Sequence, residues 1–427
     1  MSAGSVDNSR LVLICCRKPD AFRRAHAWAL NRGLTSLLLT TADWPSASSL
    51  ALRFAAGCLI TDAPDDKHFG DSRIVDARTL QWEPPAAPES WPEPVAILFT
   101  GGSTGTPKAI AKNARAIQGE FALLKQWFSS AAPLTDFICT VPLEHMFGYT
   151  FGFWLPIFMQ AALHEKRPFI PADLRNACRA ATQPAWIVTT PTHLRAYVQL
   201  RGGFNNVAGL ICATSALSTE LACAAASCFN APITEIYGST ETGVVAARIR
   251  TADERTMPSW TPLPGISVAA GSTGTAICRI PHLEDAVELG DLIAMDGPRF
   301  KILGRTGDMV KICGKRHSLA ALNQALAAAP GVLDSAYFIP ESSAPAENQR
   351  AAAFVVLSRE FSIDKVLDGL RGKVDDVFLP RPIYSVDSIP RTDAGKLRAA
   401  DLQSMFRSLQ AAAINFQENR HDSNAGR

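Results

Sequence analysis

Six residues, Val95-Ala96-Ile97-Leu98-Phe99-Thr100, read as a buried strand, and the chain runs straight from them into Gly101-Gly102-Ser103-Thr104-Gly105-Thr106-Pro107-Lys108. The run is apolar without alternation, the pattern of a strand covered on both faces. The three glycines that follow let the backbone approach an anion closely and turn its N–H groups inward. Ser103, Thr104 and Thr106 add hydroxyl donors, and Lys108 adds a point charge for polyphosphate. Pro107 before the lysine and Ala109 after it exclude a Walker loop, which needs Ser or Thr there.

Strands and helices alternate around this string. Residues 11–16, 37–40, 58–61 and 73–75 read as strands and 19–32 as a helix. A Pro-rich connector at 82–94 excludes both helix and central strand. Farther on, 137–141, 186–189, 209–213 and 233–236 read as strands, with helices near 114–128, 191–201 and 219–228. The alternation predicts a layered α/β body. A smaller unit follows, with a helix at 319–329 and strands at 335–339 and 352–357. The expected fold is α/β: a large layered N-terminal domain over 1–304, a small mobile α+β C-terminal domain over 305–415, and a disordered polar tail over 416–427. Gly-Ser-Thr-Gly-Thr occurs at 102–106 and again at 271–275; with no longer period around it, the recurrence reads as turn chemistry.

Composition narrows the function. The 42 basic and 40 acidic residues of this 427-residue chain leave a net charge of +2, so no basic footprint for nucleic acid exists. No apolar run is long enough to span a bilayer, and 11–16 is too short for the core of a signal peptide. The chain therefore reads as cytoplasmic, with its ten scattered cysteines reduced and mostly buried.

Other readings of the string at 100–108 stand beside phosphate binding. It suits a strand-to-helix turn with an incidental lysine. It also suits the nucleophile elbow of an α/β-hydrolase-type serine esterase, since Gly101-Gly102-Ser103-Thr104-Gly105 has the form Gly-x-Ser-x-Gly. Ser103 would then need a downstream carboxylate and histidine. Asp291 and His317 are available, but no spacing singles them out.

Further strings follow in order: Pro142-Leu143-Glu144-His145-Met146-Phe147-Gly148, Ile236-Tyr237-Gly238-Ser239-Thr240-Glu241, Gly290-Asp291, Gly304-Arg305-Thr306-Gly307-Asp308-Met309-Val310-Lys311, and Pro390-Arg391-Thr392-Asp393-Ala394-Gly395-Lys396. Singly they are weak, for a lone histidine is usually a core or loop residue and a Gly-Lys near a C-terminus is usually solvated surface. Together with 100–108 they resemble the signatures of the adenylate-forming (AMP-binding) superfamily, which includes acyl-CoA synthetases, aryl-CoA ligases, luciferases and peptide-synthetase adenylation domains. The resemblance covers most of the chain after residue 95.

The resemblance implies roles residue by residue. Thr100, Gly101, Gly102, Ser103, Thr104, Gly105, Thr106 and Lys108 would cradle the ATP phosphates. His145 would lie between acyl pocket and nucleotide. Tyr237 would stack on adenine beside Gly238, Thr240 would meet the α-phosphate, and Glu241 would hold Mg²⁺, for which one carboxylate plus substrate phosphates is the usual donor set. Asp291 would take the ribose hydroxyls, Arg305 the nucleotide, and Lys396 would be the catalytic lysine.

Three departures accompany the resemblance. The segment before the phosphate loop is shorter than is usual. Ala213-Thr214-Ser215-Ala216 replaces the Gly-Gly-Ala-Pro that often floors the acyl pocket, with Ala213 and Thr214 as its lining. The hinge position, usually Asp or Lys, is Gly307. The implied reaction is attack of a carboxylate on the α-phosphate of ATP, release of pyrophosphate, and transfer of the acyl group to a thiol of CoA or of a carrier protein's phosphopantetheine. The Ala-rich floor suits a medium acyl chain or an aryl ring, and no acidic residue near 213–216 offers a partner to an amino group.

Overall fold

The computed structural model describes residues 10–40, 44–45, 47–65, 73–100, 108–200, 202–341, 350–391 and 397–424, with the backbone alone at Thr100, Arg316 and 412–424. The chain forms two compact units. The first comprises residues 1–269, 277–288 and 295–300, the second 270–276, 289–294 and 301–427. A single cut at 304/305 would assign the two short segments before residue 300 to the first unit; their own contacts are with the second.

Two sheets build the first unit. One has the order β4-β3-β1-β2-β5-β6, from β1 (Leu11–Cys15), β2 (Thr35–Leu38), β3 (Cys58–Thr61), β4 (Ile74–Asp76), β5 (Ala96–Thr100) and β6 (Lys108–Lys112). The other has the order β13-β12-β11-β10-β9-β7-β8, from β7 (Asp136–Cys139), β8 (Ala162–Leu163), β9 (Ala185–Thr189), β10 (Val207–Cys212), β11 (Ile233–Ser239), β12 (Gly243–Arg250) and β13 (Thr261–Pro262). In each sheet a parallel set ends in an antiparallel hairpin at one side, β5–β6 in the first and β11–β12 in the second. Parallel strands in such sheets are covered on both faces, and β1 and β9 are buried at every position.

Helices α1 (Pro19–Leu30), α2 (Ala47–Arg53), α3 (Ala114–Trp127), α6 (Pro171–Ala180), α7 (Pro191–Tyr197) and α8 (Thr219–Phe229) connect these strands. Pro at the first turn starts α1, α6 and α7, where its missing N–H costs nothing. Asn113 caps α3 by accepting the Ala116 N–H, and Ser218 caps α8 through Leu221. Between β7 and β8 the chain forms a short turn, α4 (Met146–Gly148), a π-helical segment (Tyr149–Trp154) and a further turn, α5 (Leu155–Phe158). Every residue of the π-helical segment is buried.

Residues 267–305 form a four-stranded sheet, β14 (Ser267–Ala270), β15 (Thr275–Arg279), β16 (Val287–Asp296) and β17 (Arg299–Arg305), in that order. The second Gly-Ser-Thr-Gly-Thr is the turn between β14 and β15: the Gly274 N–H donates to the Gly271 carbonyl. The second unit holds the hairpin β18 (Met309–Ile312)–β19 (Lys315–Ser318) and a sheet of β20 (Val332–Phe338), β21 (Ala352–Leu357) and β22 (Ile383–Ser385). Alternation divides that sheet's faces. Tyr337, Ala353 and Val355 pack with α9 (Leu319–Ala327) and α10 (Ile363–Leu370). Ala336, Phe338 and Phe354 pack with Leu402 and Phe406 of α11 (Ala399–Asn424). The backbone of α11 runs through most of 416–427, where the sequence suggested disorder; 399–424 contains neither Gly nor Pro to stop it. None of the ten cysteines forms a disulfide. Among the described residues, no helix is long and apolar enough to cross a membrane.

Candidate active site

In the first unit the singled-out strings follow the carboxyl ends of parallel strands: 101–107 after β5, 142–148 after β7, 213–216 after β10 and 240–242 after β11. Open α/β sheets bind ligands at those ends. The strand before the glycine-rich string exists as expected, but the chain does not go on into a helix. It returns as β6, with Thr100 opposite Lys108 and Ala96 opposite Lys112. Residues 101–107 themselves lie outside the described residues. A nucleophile elbow needs a strand-to-helix turn, so this return removes the structural basis for Ser103 as a nucleophile. The remaining partners of that reading are engaged locally in the second unit. Asp291 accepts from Arg305, and the His317 ring lies 5.2 Å from that of Phe378.

Thr240 and Glu241 sit in the turn that joins β11 to β12, closed by the pairing of Ser239 with Gly243. Thr242 braces it, donating its hydroxyl to the Gly243 carbonyl and accepting the Ser239 N–H at 3.0 Å. Below the turn the hairpin is tied by buried ions: Arg248 donates to Glu235 at 2.8 Å, and Arg250 bridges Glu235 and Glu254. Removing one member of such a buried set costs about 3–5 kcal/mol, so this hairpin is a stiff mount.

A side-chain contact joins the two hairpins. Lys108 Nζ lies 3.1 Å from Glu241 Oε1. Both side chains are solvent-accessible, so the pair contributes little stability; its interest is position. Partial burial acts to raise the Glu241 pKa, but its own backbone amide, Lys108 and Ser239 outweigh that, and the carboxyl sits below the usual glutamate range. An ionised, accessible carboxylate that already attracts a cation is a suitable single protein donor to a Mg²⁺ otherwise held by phosphates. Among the described residues no group of three or more His, Cys, Asp or Glu forms an all-protein metal cage.

Tyr237 is 8% exposed, its ring 5.5 Å from Trp260 and 5.7 Å from Phe300. Neither contact is face-stacked, the planes meeting at 47° and 65°. His145 caps the turn Met146–Gly148, its Nδ1 accepting the Phe147 N–H at 3.3 Å. A small cavity lined by residues 16–19, Phe22, 142–144 and Arg167 borders the string that leads to it. Ala213 is buried, and Thr214 has φ +83°, a left-handed conformation that a β-branched residue rarely adopts.

In the second unit Asp291 lies on β16 and Arg305 ends β17; the Arg305 Nε donates to Asp291 Oδ1 at 2.8 Å. Gly307 lies in a single 3₁₀ turn, Thr306–Asp308, and a Cβ added there would meet no atom within 4 Å. Of the last string, Arg391 is clamped to Asp334 by two donors at 3.1 and 2.7 Å, while Lys396 lies outside the described residues.

Two buried charges beside the site escaped the sequence reading. Lys112 and Glu120 are each 5% exposed. Burial depresses the lysine against the opposing pull of Glu120 and Glu241, and burial raises the glutamate against Lys112 and the Val244 amide. A signal existed. Glu120 stands in the stripe Ile117, Phe121, Leu124 that α3 turns to the core.

A layered α/β body with nucleotide-type strings at its strand ends defines a class, the adenylate-forming enzymes. The chain belongs to the AMP-binding enzyme family, which it matches over residues 18–278. It is similar to 4-coumarate–CoA ligase of Rhodobacter capsulatus, 30% identical over 239 residues that cover 56% of this chain and 58% of that one. It is also similar to anthranilate–CoA ligase of Pseudomonas aeruginosa, 24% identical over 420 residues covering 88% and 78%. Among solved structures, ATP-bound MatB from Rhodopseudomonas palustris superposes with a TM-score of 0.76 at 17% identity over 95% and 90% of the chains, a likeness of fold. The chain thus spans little more than half the length of the 4-coumarate–CoA ligase it matches.

Proposed function

We propose that this protein activates a carboxylic acid with ATP, forming an acyl-adenylate and pyrophosphate, and then transfers the acyl group to a thiol. The observation that carries this reading is the Lys108–Glu241 contact, 3.1 Å, which brings the flank of the phosphate string to the carboxylate of the Tyr-Gly-Ser-Thr-Glu turn. Lys108 and Glu241, more than a hundred residues apart in the chain, are thereby near enough to act on one triphosphate and its counter-ion.

The carboxylate of the acid attacks the α-phosphorus; the bond to the bridging oxygen breaks, and pyrophosphate leaves. Catalysis of this step is positioning and charge stabilisation. The 101–106 amides and hydroxyls with Lys108 hold the departing phosphates. Thr240 and Lys396 stabilise the charge that grows on the α-phosphate. Tyr237 with Gly238 receives the adenine, Asp291 the ribose hydroxyls and Arg305 the nucleotide. Glu241 holds Mg²⁺, which supplies neutralising charge at the phosphates when bound. The acid rests against His145, Ala213 and Thr214. In the second half-reaction a thiol attacks the acyl carbon and AMP leaves, with Gly307 as the hinge between the two states. The acceptor is CoA or a carrier protein's phosphopantetheine, and the setting is the cytoplasm, where ATP is available. The relatives' names, 4-coumarate and anthranilate, support an aryl acid.

The test is ATP–pyrophosphate exchange across a panel of hydroxybenzoates, cinnamates, anthranilate and medium-chain fatty acids. Exchange with at least one aryl acid, dependent on Mg²⁺, is expected. No exchange with any acid, from protein that is folded, would refute the reading.

A further inference from the structure

The proposed ATP chemistry employs Lys108 and Glu241 and leaves two buried charged residues close by, Lys112 and Glu120, without a part. Their geometry gives them one. Glu120 Oε1 accepts the Val244 N–H at 2.8 Å, at the foot of the turn that carries Thr240 and Glu241. Gly243 beside it has φ +69°, and a Cβ there would fall 2.7 Å from the same Oε1. On the preceding residue of α3, a Cβ added to Gly119 would fall 2.3 Å from His282 Cβ. Helix α3 is therefore seated by two close approaches, and its carboxylate is set against the turn with little freedom.

Lys112 closes β6, the strand that Lys108 opens, and strand periodicity puts both lysines on one face. It interacts electrostatically with Glu120 and Glu241, while His282 responds to it and to Arg115. The charges around the turn are thus two lysines and two glutamates, with Arg115 at the margin. Two buried ions are expensive to desolvate, and a buried lysine without Glu120 would have Glu241 as its nearest remaining counter-charge among these groups.

We propose that Lys112 and Glu120 are positioning residues for Glu241: Glu120 fixes the 240–242 turn through the Val244 amide, and its charge balances that of Lys112 without a direct ion pair, so that Glu241 stays available to a cation–triphosphate complex. This rests on the ATP-dependent reading above. Neither residue touches the reacting atoms.

The experiment measures Mn²⁺ binding in the presence of ATP, without acid, from the electron paramagnetic resonance signal of free Mn²⁺, beside the thermal midpoint of each protein. Wild-type and Glu241→Gln proteins come first: if wild type holds no Mn²⁺–ATP, or if Glu241→Gln holds it as tightly, the metal assignment fails, whatever the pair does. Glu120→Gln keeps an acceptor for the Val244 N–H but frees the Lys112 charge, and should weaken Mn²⁺–ATP about tenfold. Lys112→Met removes the competing cation and should tighten it several-fold. Both should lower the thermal midpoint. The opposite signs are the readout, because loss of structure alone weakens binding in both. If Glu120→Gln folds too poorly to measure, the double variant Lys112→Met/Glu120→Gln decides. It should bind as wild type does, and binding tenfold weaker would overturn the proposal. Equal binding in all variants, or weakening in both single variants, would also overturn it.

Discussion

At the scale of single residues, the site combines an ionised carboxylate with a strained backbone. Glu241 sits below the usual glutamate range because the donors that face it outweigh its partial burial, and one of them, Lys108 Nζ, lies 3.1 Å away. Glu241→Gln preserves size and hydrogen bonding while removing the charge. ATP binding should weaken modestly, but pyrophosphate exchange should fall on the order of a hundredfold, since metal-borne charge stabilisation amounts to several kcal/mol. Exchange at the wild-type rate would show that the carboxylate holds no metal. Thr214 is a different case. At φ +83° a β-branched residue carries about 1–3 kcal/mol of strain. Thr214→Gly relieves it at an entropic cost of about 0.5–1 kcal/mol. The variant should unfold at a higher temperature in a calorimetric scan while its preference among acids changes. A lower midpoint would mean that the threonine side chain contributes more than its backbone costs.

At the scale of elements, the π-helical segment Tyr149–Trp154 is held from outside its own sheet. The Tyr149 hydroxyl lies 3.0 Å from His26 Nε2, and the other ring nitrogen lies 2.8 Å from the Ser36 hydroxyl. Burial pushes the His26 pKa down to about 3, and those of His193 and His282 down to about 4. A histidine held neutral contributes nothing to the pH dependence above its unfolded value, about 6.5. Below that, the unfolded chain binds a proton that the native state does not, and stability falls by about 1.4 kcal/mol per pH unit for each such histidine. Glu120, raised by burial, acts in the opposite sense at lower pH. Denaturant titrations between pH 7 and 5 should therefore show steep loss for wild type. His26→Gln, though less stable at pH 7, should lose its stability with a slope smaller by about one proton. An unchanged slope would mean that His26 is protonated in the native state.

These elements also mark what the sequence could convey. Strands at 58–61 and 352–357 are where the apolar runs predict them, and the helix starts at 19, 114, 191, 219 and 319 follow their prolines, caps and periodicity. Local signals sufficed there. Strand β6, Lys-Ala-Ile-Ala-Lys, has no long apolar run to announce it; only its pairing with β5 makes it a strand. The π-helical segment, buried at every position, closes its hydrogen bonds over one residue more than an α-helix does, and no local sequence pattern announces that. Of the site, the strings themselves were legible. Lys112 and Glu120 were not, because bringing two buried charges close together depends on β6 and α3 meeting the β11–β12 turn.

At the scale of the whole molecule, the proposed chemistry divides between the two units, and the division itself is open to test. The first holds the phosphate string, His145, Tyr237 and Glu241; the second holds Asp291, Arg305, Gly307 and Lys396. Gly307 sits where a side chain would meet nothing within 4 Å, so local packing does not demand a glycine, and tolerance of changing φ and ψ at a hinge would. The role carried to Lys396 is narrower than general nucleotide binding. Its ammonium would stabilise charge that grows on the α-phosphate as the carboxylate attacks, and this charge exists only in the first transition state. Thioester formation breaks the acyl–phosphate bond of an anhydride already made, and places no comparable demand on that lysine. Lys396→Ala should therefore fail with acid plus ATP, yet convert supplied acyl-adenylate and thiol into thioester at a rate within a few-fold of wild type. Both routes are to be followed with the same enzyme, acid and thiol, so that differences in acceptor binding cancel. Collapse of both rates together would make Lys396 structural or common to both steps, and the alternation about Gly307 would lose its motive. If neither rate changes, the charge on the α-phosphate is met by another cation, and Lys108 would be the first to replace.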